Sequence, residues 1–198
     1  MRIMLIADEP DPMLWDHLDR KRLEGIDLIL SCGDLSAHYL SFLTCFTNAP
    51  IVYVPGNHDT AYEKQEPEGC ICADGDIIEV KGVRILGLGG SMRYKPGTCM
   101  YTEKEMQKRI KKLRFKLWRK KGFDILLTHA PMRDFGDLPD LCHRGFECFR
   151  PLLEKYRPKL FAYAHVHGSY TYQFQRKAMY GPTLAVNGYV SYVVDIDF

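Results

Sequence analysis

The chain of 198 residues is 46% hydrophobic and 26% charged, a composition typical of a globular protein with room for one substantial core. Its 27 lysines and arginines against 25 aspartates and glutamates give a formal net charge of +2. That balance argues against a bulk nucleic-acid binder and against an acidic, disordered chain. We therefore expect one domain spanning residues 1–198.

Two features of the sequence bear on the cellular compartment. The seven cysteines are odd in number and scattered, unlike a disulfide framework, so they favour a reducing compartment. The apolar stretch at residues 1–7 meets Asp8 too soon to be a signal peptide or a membrane span. We expect a cytoplasmic protein without a membrane segment, and the sequence indicates no particular oligomeric state.

Short apolar runs that end abruptly in polar residues recur along the chain. They cover residues 3–7, 28–30, 51–54, 125–127 and 160–163. Continuous apolar runs of this length are typical of strands buried on both faces. These runs therefore predict the central strands of a parallel sheet.

Helical periodicity appears in four segments between these runs. They cover residues 13–23, 39–46, 102–121 and 145–156. The third begins with a Thr-x-x-Glu capping box, Thr102 and Glu105, and is dense in lysine and arginine. Such a basic stripe is more typical of a solvated helix face than of a nucleic-acid-binding surface, and we expect Trp118 to pack.

The order of these elements predicts the fold class. Strands that alternate with helices indicate a largely parallel sheet. Two hairpins break the alternation, one at 76–88 and one at 183–198 around the turn dipeptide Asn187-Gly188. We therefore predict an α/β fold, a two-sheet β-sandwich of mixed strands flanked by helices.

Side chains with metal-ligating chemistry follow each of the five apolar runs. They are Asp8, Asp34, the Asn57-His58-Asp59 block, His129, and the pair His165 and His167. In an open α/β sheet, ligands gather beyond the carboxyl ends of parallel strands. Singly, each group is commoner as a turn or helix cap. Together they favour a mixed nitrogen and oxygen site suited to Mn, Fe, Zn or Ni.

Four motifs of this chain resemble those of the calcineurin-like metallophosphoesterases, and in particular the small bacterial phosphodiesterase members. They are Gly33-Asp34, Gly56-Asn57-His58-Asp59, Thr128-His129-Ala130-Pro131 and His165-Val166-His167. The resemblance covers essentially the whole chain. It implies the α/β/β/α sandwich of that superfamily and a site for two divalent metal ions, with manganese foremost and Fe, Zn or Ni as alternatives.

The resemblance also implies a role for each ligand position. Asp34 becomes the bridging carboxylate, because its two oxygens can face two cations. The other ligands divide between the ions: Asn57, His129 and His165 for the second, and Asp8 and His167 for the first. The implied reaction is hydrolysis of a phosphodiester or phosphomonoester by in-line attack of a hydroxide that bridges the metals.

Four further residues are candidates for catalysis or substrate contact. By the resemblance, His58 is a general acid or a donor to the phosphate, with Asp59 as its orienting partner. Arg93 and His143 are candidate substrate-binding residues, although an exposed loop and a helix cap would also explain them. The expected substrate is a phosphate-ester small molecule or a nucleotide, with a nucleic acid as the alternative.

One position departs from the family pattern. The Asp-x-His motif reads Asp8-Glu9-Pro10, and proline has no donor atom for a metal. Water or Glu9 would have to replace it, and we favour water because strand alternation aims Glu9 away from the side of Asp8. We expect one tight ion and one weaker ion. Pro10 also motivates a second hypothesis, a catalytically weak or inactive relative that acts as a protein-binding scaffold.

Overall fold

The computed structural model describes residues 1–170 and 174–198. The strands in these ranges are β1 (Arg2–Ala7), β2 (Leu28–Ser31), β3 (Ile51–Tyr53), β4 (Ile71–Cys72), β5 (Asp76–Val80), β6 (Val83–Leu88), β7 (Ser91–Met92), β8 (Met100–Tyr101), β9 (Ile125–Thr128), β10 (Leu160–Tyr163), β11 (Lys177–Tyr180), β12 (Thr183–Asn187) and β13 (Val190–Asp195). The helices are α1 (Ala37–Thr44), α2 (Glu103–Lys112), α3 (Arg114–Arg119) and α4 (Phe149–Tyr156). Two 3₁₀ turns lie at Arg20–Leu23 and Asp59–Glu63.

The strands form two main mixed sheets. The first sheet has the order β13-β1-β2-β3-β4, with β13 antiparallel to β1 and the other neighbours parallel. The second has the order β11-β12-β10-β9-β6-β5, with a parallel centre and an antiparallel hairpin at each edge. The short strands β7 and β8 pair separately. This arrangement confirms the predicted two-sheet α/β class.

A shared core lies between the two sheets, because alternate residues of each strand point to the same face. From the first sheet come Ile3, Leu5, Leu30 and Val52, and from the second Ile125, Leu127, Leu160 and Val186. The opposite face of the first sheet packs on α1, and that of the second on α2, α3 and α4. The layers are therefore helix, sheet, sheet, helix.

The predicted helix at 13–23 is wrong. The segment forms turns that end in the 3₁₀ turn Arg20–Leu23. The buried carboxylate of Asp11 accepts hydrogen bonds from the Met13 amide (2.9 Å) and the Arg22 guanidinium (3.1 Å). These two bonds draw the ends of the segment together, which a continuous helix would not allow.

The predicted tail hairpin is also wrong. Strand β12 lies in the second sheet, while β13 pairs with β1 in the first, so the Asn187-Gly188 dipeptide carries the chain between the sheets. The reason is tertiary hydrogen bonding at the end of β10. The Gly188 amide donates to the Tyr163 carbonyl (2.7 Å) and the Asn187 side chain to the Val166 carbonyl (2.9 Å). The other predicted hairpin is confirmed as β5 and β6.

The predicted basic helix divides at Leu113 into α2 and α3. The capping box of Thr102 and Glu105 is confirmed at the start of α2. The prediction that Trp118 packs is wrong, because Leu113 and Leu117 take the core-facing positions and leave Trp118 74% exposed. In the described ranges, no helix is both long and apolar enough to cross a membrane.

Candidate metal centre

The segments that follow five parallel strands supply the candidate ligands. Asp8 follows β1, Asp34 follows β2, Asn57 follows β3, His129 follows β9 and His165 follows β10. The carboxyl ends of parallel strands share one edge of a sheet, and here the edges of both sheets face each other across the shared core. The fold therefore places the first sheet's carboxylates and amide opposite the second sheet's imidazoles.

Asp34, His129 and His165 form a tight cluster of ligand atoms. One atom from each lies within 4.8 Å of the others, and no other group of three His, Cys, Asp or Glu in the described ranges is as close. His129 Nε2 lies 3.0 Å from His165 Nδ1 and 3.4 Å from Asp34 Oδ2. Asn57 Oδ1 lies 3.0 Å from His129 Nε2 as well. The four residues assigned to the second ion are therefore brought together.

Backbone carbonyls determine which ring nitrogens of this cluster carry protons. His129 Nδ1 lies 2.8 Å from the Cys32 carbonyl, and His165 Nε2 lies 2.7 Å from the Cys142 carbonyl. A carbonyl only accepts, so each of these nitrogens donates, and in the neutral form of each ring the other nitrogen presents a lone pair. Carbonyl contacts of this kind orient metal-ligating histidines in general.

When both rings are neutral, acceptor atoms therefore converge on one point without a matching donor. Two imidazole nitrogens, a carboxylate oxygen and an amide oxygen face one another in a buried setting, where unpaired acceptors are costly. A cation resolves this conflict. The mixed nitrogen and oxygen donor set fits Mn, Fe, Zn or Ni.

The electrostatics of the cluster favour one positive charge. Burial disfavours charged His129, but the neighbouring Asp34 and Asp8 carboxylates outweigh it and raise its pKa to about 9. Burial and the charge of His129 lower the pKa of His165 to about 3. Burial opposes ionisation of Asp34 too, but His129 holds its pKa well below the usual range. A bound cation would take the place of the proton on His129 Nε2, while Nδ1 keeps its own proton.

Asp8, Glu9 and His167 lie together beside this cluster. His167 Nε2 is 3.8 Å from Asp8 Oδ1, and its Nδ1 is 3.8 Å from Glu9 Oε1. The Asp8 side chain is 1% exposed, and its burial raises the pKa of that carboxyl to about 7. The expectation that Glu9 points away from the side of Asp8 is wrong. Strand alternation ends at Ala7, because Asp8 adopts a left-handed conformation (φ 65°).

His58 and Asp59 occupy different environments. The His58 residue is exposed, and its backbone amide donates to Asp34 Oδ1 (2.7 Å). The buried Asp59 carboxylate accepts from the backbone amides of Asp34 and Gly56, both at 2.7 Å. Asp59 therefore joins two ligand-bearing loops. Its role as orienting partner of His58 stays a prediction, since both contacts are with backbone.

The two candidate substrate-binding residues are placed differently. The His143 ring lies 5.3 Å from the His165 ring, and its Nδ1 is 2.9 Å from Asp140 Oδ1. The Arg93 guanidinium contacts the Glu105 carboxylate at 3.0 Å and also donates to the Met100 carbonyl. His143 is therefore next to the cluster, whereas Arg93 is held by β8 and α2.

Two tyrosines that the sequence pattern does not single out also flank the site. The Tyr170 and Tyr189 rings stack on the His167 ring, with centroids 4.4 and 4.8 Å away. The Tyr189 hydroxyl donates to Glu9 Oε1 (2.8 Å). Strand-end motifs carry no signal for these residues. Tyr189 approaches the site only because β13 pairs with β1.

Two stacked mixed sheets with a nitrogen and oxygen donor cluster at their carboxyl edge define a class, the α/β proteins equipped for a divalent metal ion. The family model for calcineurin-like phosphoesterases matches residues 1–169. The chain belongs to this family, which is a family of hydrolases. No curated protein sequence matches the chain.

Solved structures share this fold at low sequence identity. One crystal structure is 15% identical with a TM-score of 0.67, over 98% of this chain and 94% of its own. The protein TT1561 of Thermus thermophilus is 19% identical with a TM-score of 0.61, over 94% of this chain and 88% of its own. A putative 5′-nucleotidase from Staphylococcus aureus is 11% identical with a TM-score of 0.53, over 99% of this chain and 51% of its own. At these identities the likeness concerns the fold.

Proposed function

We propose that this chain is a metal-dependent phosphoesterase that hydrolyses phosphodiester or phosphomonoester bonds of a small molecule or nucleotide. The observation that carries the proposal is the convergence of Asp34, Asn57, His129 and His165 acceptor atoms in a buried cluster. Family membership supports the reaction class. The cysteine pattern supports a reducing compartment, and on that ground we propose a cytoplasmic location.

The ligand residues divide into a complete and an incomplete set. Asp34, Asn57, His129 and His165 would hold one divalent ion, with manganese as our first choice and Fe, Zn or Ni as alternatives. Asp8, His167 and a shared Asp34 would hold the first ion more weakly, since Pro10 offers no donor. Bound ions of this kind supply Lewis-acid activation of water and neutralise phosphate charge.

The surrounding side chains would handle the substrate. We assign proton transfer to the leaving group to His58, which is exposed and whose backbone amide donates to Asp34 Oδ1. Asp140 holds His143 through Nδ1, and Nε2 of that ring has no hydrogen-bond partner in the described ranges, so it would contact a phosphate oxygen. Arg93 would have to break its ion pair with Glu105 before it could contact a phosphate. We therefore assign the phosphate contact to His143 first.

Hydrolysis of an activated aryl phosphodiester by the Mn²⁺-loaded protein tests the proposal. Asp34→Asn and His129→Ala should each lower turnover by about 10²-fold or more, as loss of a charge-stabilising group does in other enzymes. His17→Ala, which removes an exposed histidine from a turn outside the cluster, should leave turnover unchanged. Full activity in both ligand variants would overturn the assignment.

The second candidate function is a protein-binding scaffold with weak or lost catalysis. Pro10, in place of a metal-ligating histidine, is the observation that favours it. Elemental analysis after metal-replete purification separates the two functions. About two ions per chain would support the enzyme, whereas a metal-free protein would support the scaffold.

A further inference from the structure

A groove lies at the edge of the second sheet that is opposite the candidate metal centre. Its volume is about 780 Å³, and it is lined by side chains of α3, α4 and the segment after α3. Arg84, near the start of β6, donates to the Lys120 carbonyl, and the Asp124 amide beside β9 donates to the Arg84 carbonyl. The groove therefore lies near the amino ends of β6 and β9, whereas the metal centre lies at the carboxyl ends.

The groove carries a concentrated positive charge. Residues 108–121 contain nine lysines and arginines and no acidic residue, in a chain whose formal net charge is only +2. Three of the nine are engaged in ion pairs with Asp74, Asp76 and Glu79. The four groove cations form no ion pair with any residue in the described ranges: Arg114, Arg119, Lys121 and Lys155. Their arrangement favours a polyanionic ligand.

Two exposed aromatic rings adjoin these cations. Trp118 is 74% exposed and Phe115 66% exposed, with ring centroids 5.8 Å apart. Leu113 and Leu117 occupy the core-facing positions of the same segment, so the aromatic pair is directed outward by helix geometry. Trp118 also lines the groove, together with Tyr156. Large aromatic side chains left in water at a concave, charged site indicate a ligand with a flat apolar face.

We propose that this groove binds single-stranded nucleic acid, with phosphates on the four groove cations and a base stacked on Trp118. Aromatic rings interleaved with cations in a concave groove are typical of sites that bind single strands without sequence preference. A flexible polynucleotide can follow such a groove, which a flat anionic bilayer cannot enter. The basic segment is then a binding surface, in contrast to the solvated face that the sequence pattern favours.

Tryptophan fluorescence provides the first test. The chain has two tryptophans, so Trp15→Phe leaves Trp118 as the only reporter. An oligothymidine of about 12 nucleotides, within the usual range of single-strand site sizes, should quench Trp118 by stacking. Since each phosphate contact on a single strand contributes about −0.7, four cations predict a slope of about −3 for log K against log salt.

Variants test the charge and the stacking separately. The double variant Arg114→Glu/Arg119→Glu should reduce the salt slope to about −1.4, with two phosphate contacts left, and weaken binding of a labelled oligonucleotide. Trp118→Ala should weaken binding roughly tenfold, as loss of one base–aromatic stack does. Lys104→Glu makes one such charge reversal at an exposed position on the first turn of α2 and should leave affinity unchanged. All variants should keep the aryl phosphodiesterase activity of the parent protein.

Three results would overturn the proposal. The first is a lack of oligonucleotide binding at low salt by the wild-type chain. The second is equal affinity for inorganic polyphosphate, unaffected by Trp118→Ala, which would show a polyanion site without base stacking. The third is binding to phosphatidylserine vesicles with a blue shift of Trp118 fluorescence and no binding to oligonucleotide. Each of these outcomes is independent of whether the metal centre is catalytic.

Discussion

Three of the candidate ligands adopt a left-handed backbone conformation that is unusual for residues other than glycine. Asp8, Asp34 and His165 have φ values of 65°, 57° and 71°. Such conformations cost about 1–3 kcal/mol each and cluster at functional sites. Each of these residues follows a strand. There the left-handed conformation ends the alternation of side chains along the strand and directs this side chain toward the candidate metal centre. The motifs identify these residues by type, but the backbone conformation depends on the contacts between the two sheets.

The close approach of two glycines supports this geometry. A Cβ on Gly56 would overlap the Asp34 carboxylate, and a Cβ on Gly33 would overlap the backbone of Gly56. We predict that Gly56→Ala lowers Mn²⁺ affinity at least roughly tenfold, because it displaces Asp34, an effect of the size seen when groups that orient metal ligands are removed. Isothermal titration calorimetry measures the change.

Gly97→Ala serves as the control for that variant. The nearest atom to a Cβ at Gly97 is the Met100 methyl group at 3.4 Å, and this glycine is not among those with positive φ. Its Mn²⁺ affinity should equal that of the wild type. Equal affinity in Gly56→Ala would show that Asp34 is not a ligand in the observed position.

The Arg84 and Asp124 pair allows a pH prediction away from the metal centre. Hydrogen bonds from the Arg84 side chain (2.6 and 2.8 Å), opposed in part by burial, lower the pKa of Asp124. We predict that Asp124→Asn lowers the free energy of unfolding by about 2 kcal/mol at neutral pH.

The pH dependence of that difference follows from the direction of the shift. A carboxyl whose folded pKa is depressed stabilises fully above its unfolded value of about 3.9, and the contribution is lost as the pH falls through the folded pKa. The difference in the free energy of unfolding between wild type and Asp124→Asn, measured in urea melts, should therefore be constant from pH 5 to 7. It should shrink below about pH 4, and a gap that widened there would contradict the assignment.

At the scale of the elements, local signals in the sequence were sufficient where a single segment carries them. The capping box of α2 and the hairpin of β5 and β6 are both found as predicted. The segments at 13–23 and 183–198 differ because contacts distant in sequence decide them. Asp11 and Arg22 draw one segment into turns, and the carbonyl of Tyr163 redirects the other. A turn dipeptide such as Asn187-Gly188 cannot reveal which sheet receives the following strand.

The capping box is an element-scale feature whose contribution can be measured. Thr102 Oγ1 accepts from the Glu105 amide, and the Glu105 carboxylate accepts from the Thr102 amide. Thr102→Ala should lower the free energy of unfolding by about 1 kcal/mol. Thr98→Ala, at an exposed threonine with no side-chain hydrogen bond in the described ranges, should change it little. Equal stabilities for the two variants in urea melts would contradict the capping contribution.

At the scale of the whole molecule, both ends of the chain complete the first sheet. Strand β13 pairs along the full length of β1, and the Met1 amino group donates to the Ile196 carbonyl (2.7 Å). The shared core between the sheets then joins the two halves. We propose on this basis that residues 1–198 fold as one cooperative domain.

Single-tryptophan variants test that proposal. Trp15 packs on the outer face of the first sheet with α1, and Trp118 lies on the helical layer of the second. Trp118→Phe and Trp15→Phe therefore report unfolding of the two layers separately. We predict coincident denaturant midpoints for both reporters and for circular dichroism, as two-state unfolding requires. Two separate midpoints would indicate independently folding halves.

Much of the candidate metal centre follows from the sequence, because the candidate ligands follow strands that the apolar pattern reveals. The tyrosines on His167 and the placement of Glu9 do not, since they depend on the pairing of β13 with β1 and on the left-handed Asp8. The two ligand sets therefore differ in the structure in the distances between their ligand atoms, as well as in the missing donor at Pro10. One set converges within hydrogen-bonding distance, while His167 stays 3.8 Å from its nearest carboxylates.

The most direct test of the account is anomalous scattering from crystals grown with Mn²⁺. We predict a strong manganese peak bounded by His129 Nε2, His165 Nδ1, Asn57 Oδ1 and Asp34 Oδ2, and a weaker peak beside Asp8 and His167. In crystals of His129→Ala, the strong peak should be absent. Fully occupied manganese elsewhere, with no peak between His129 and His165, would contradict the central claim.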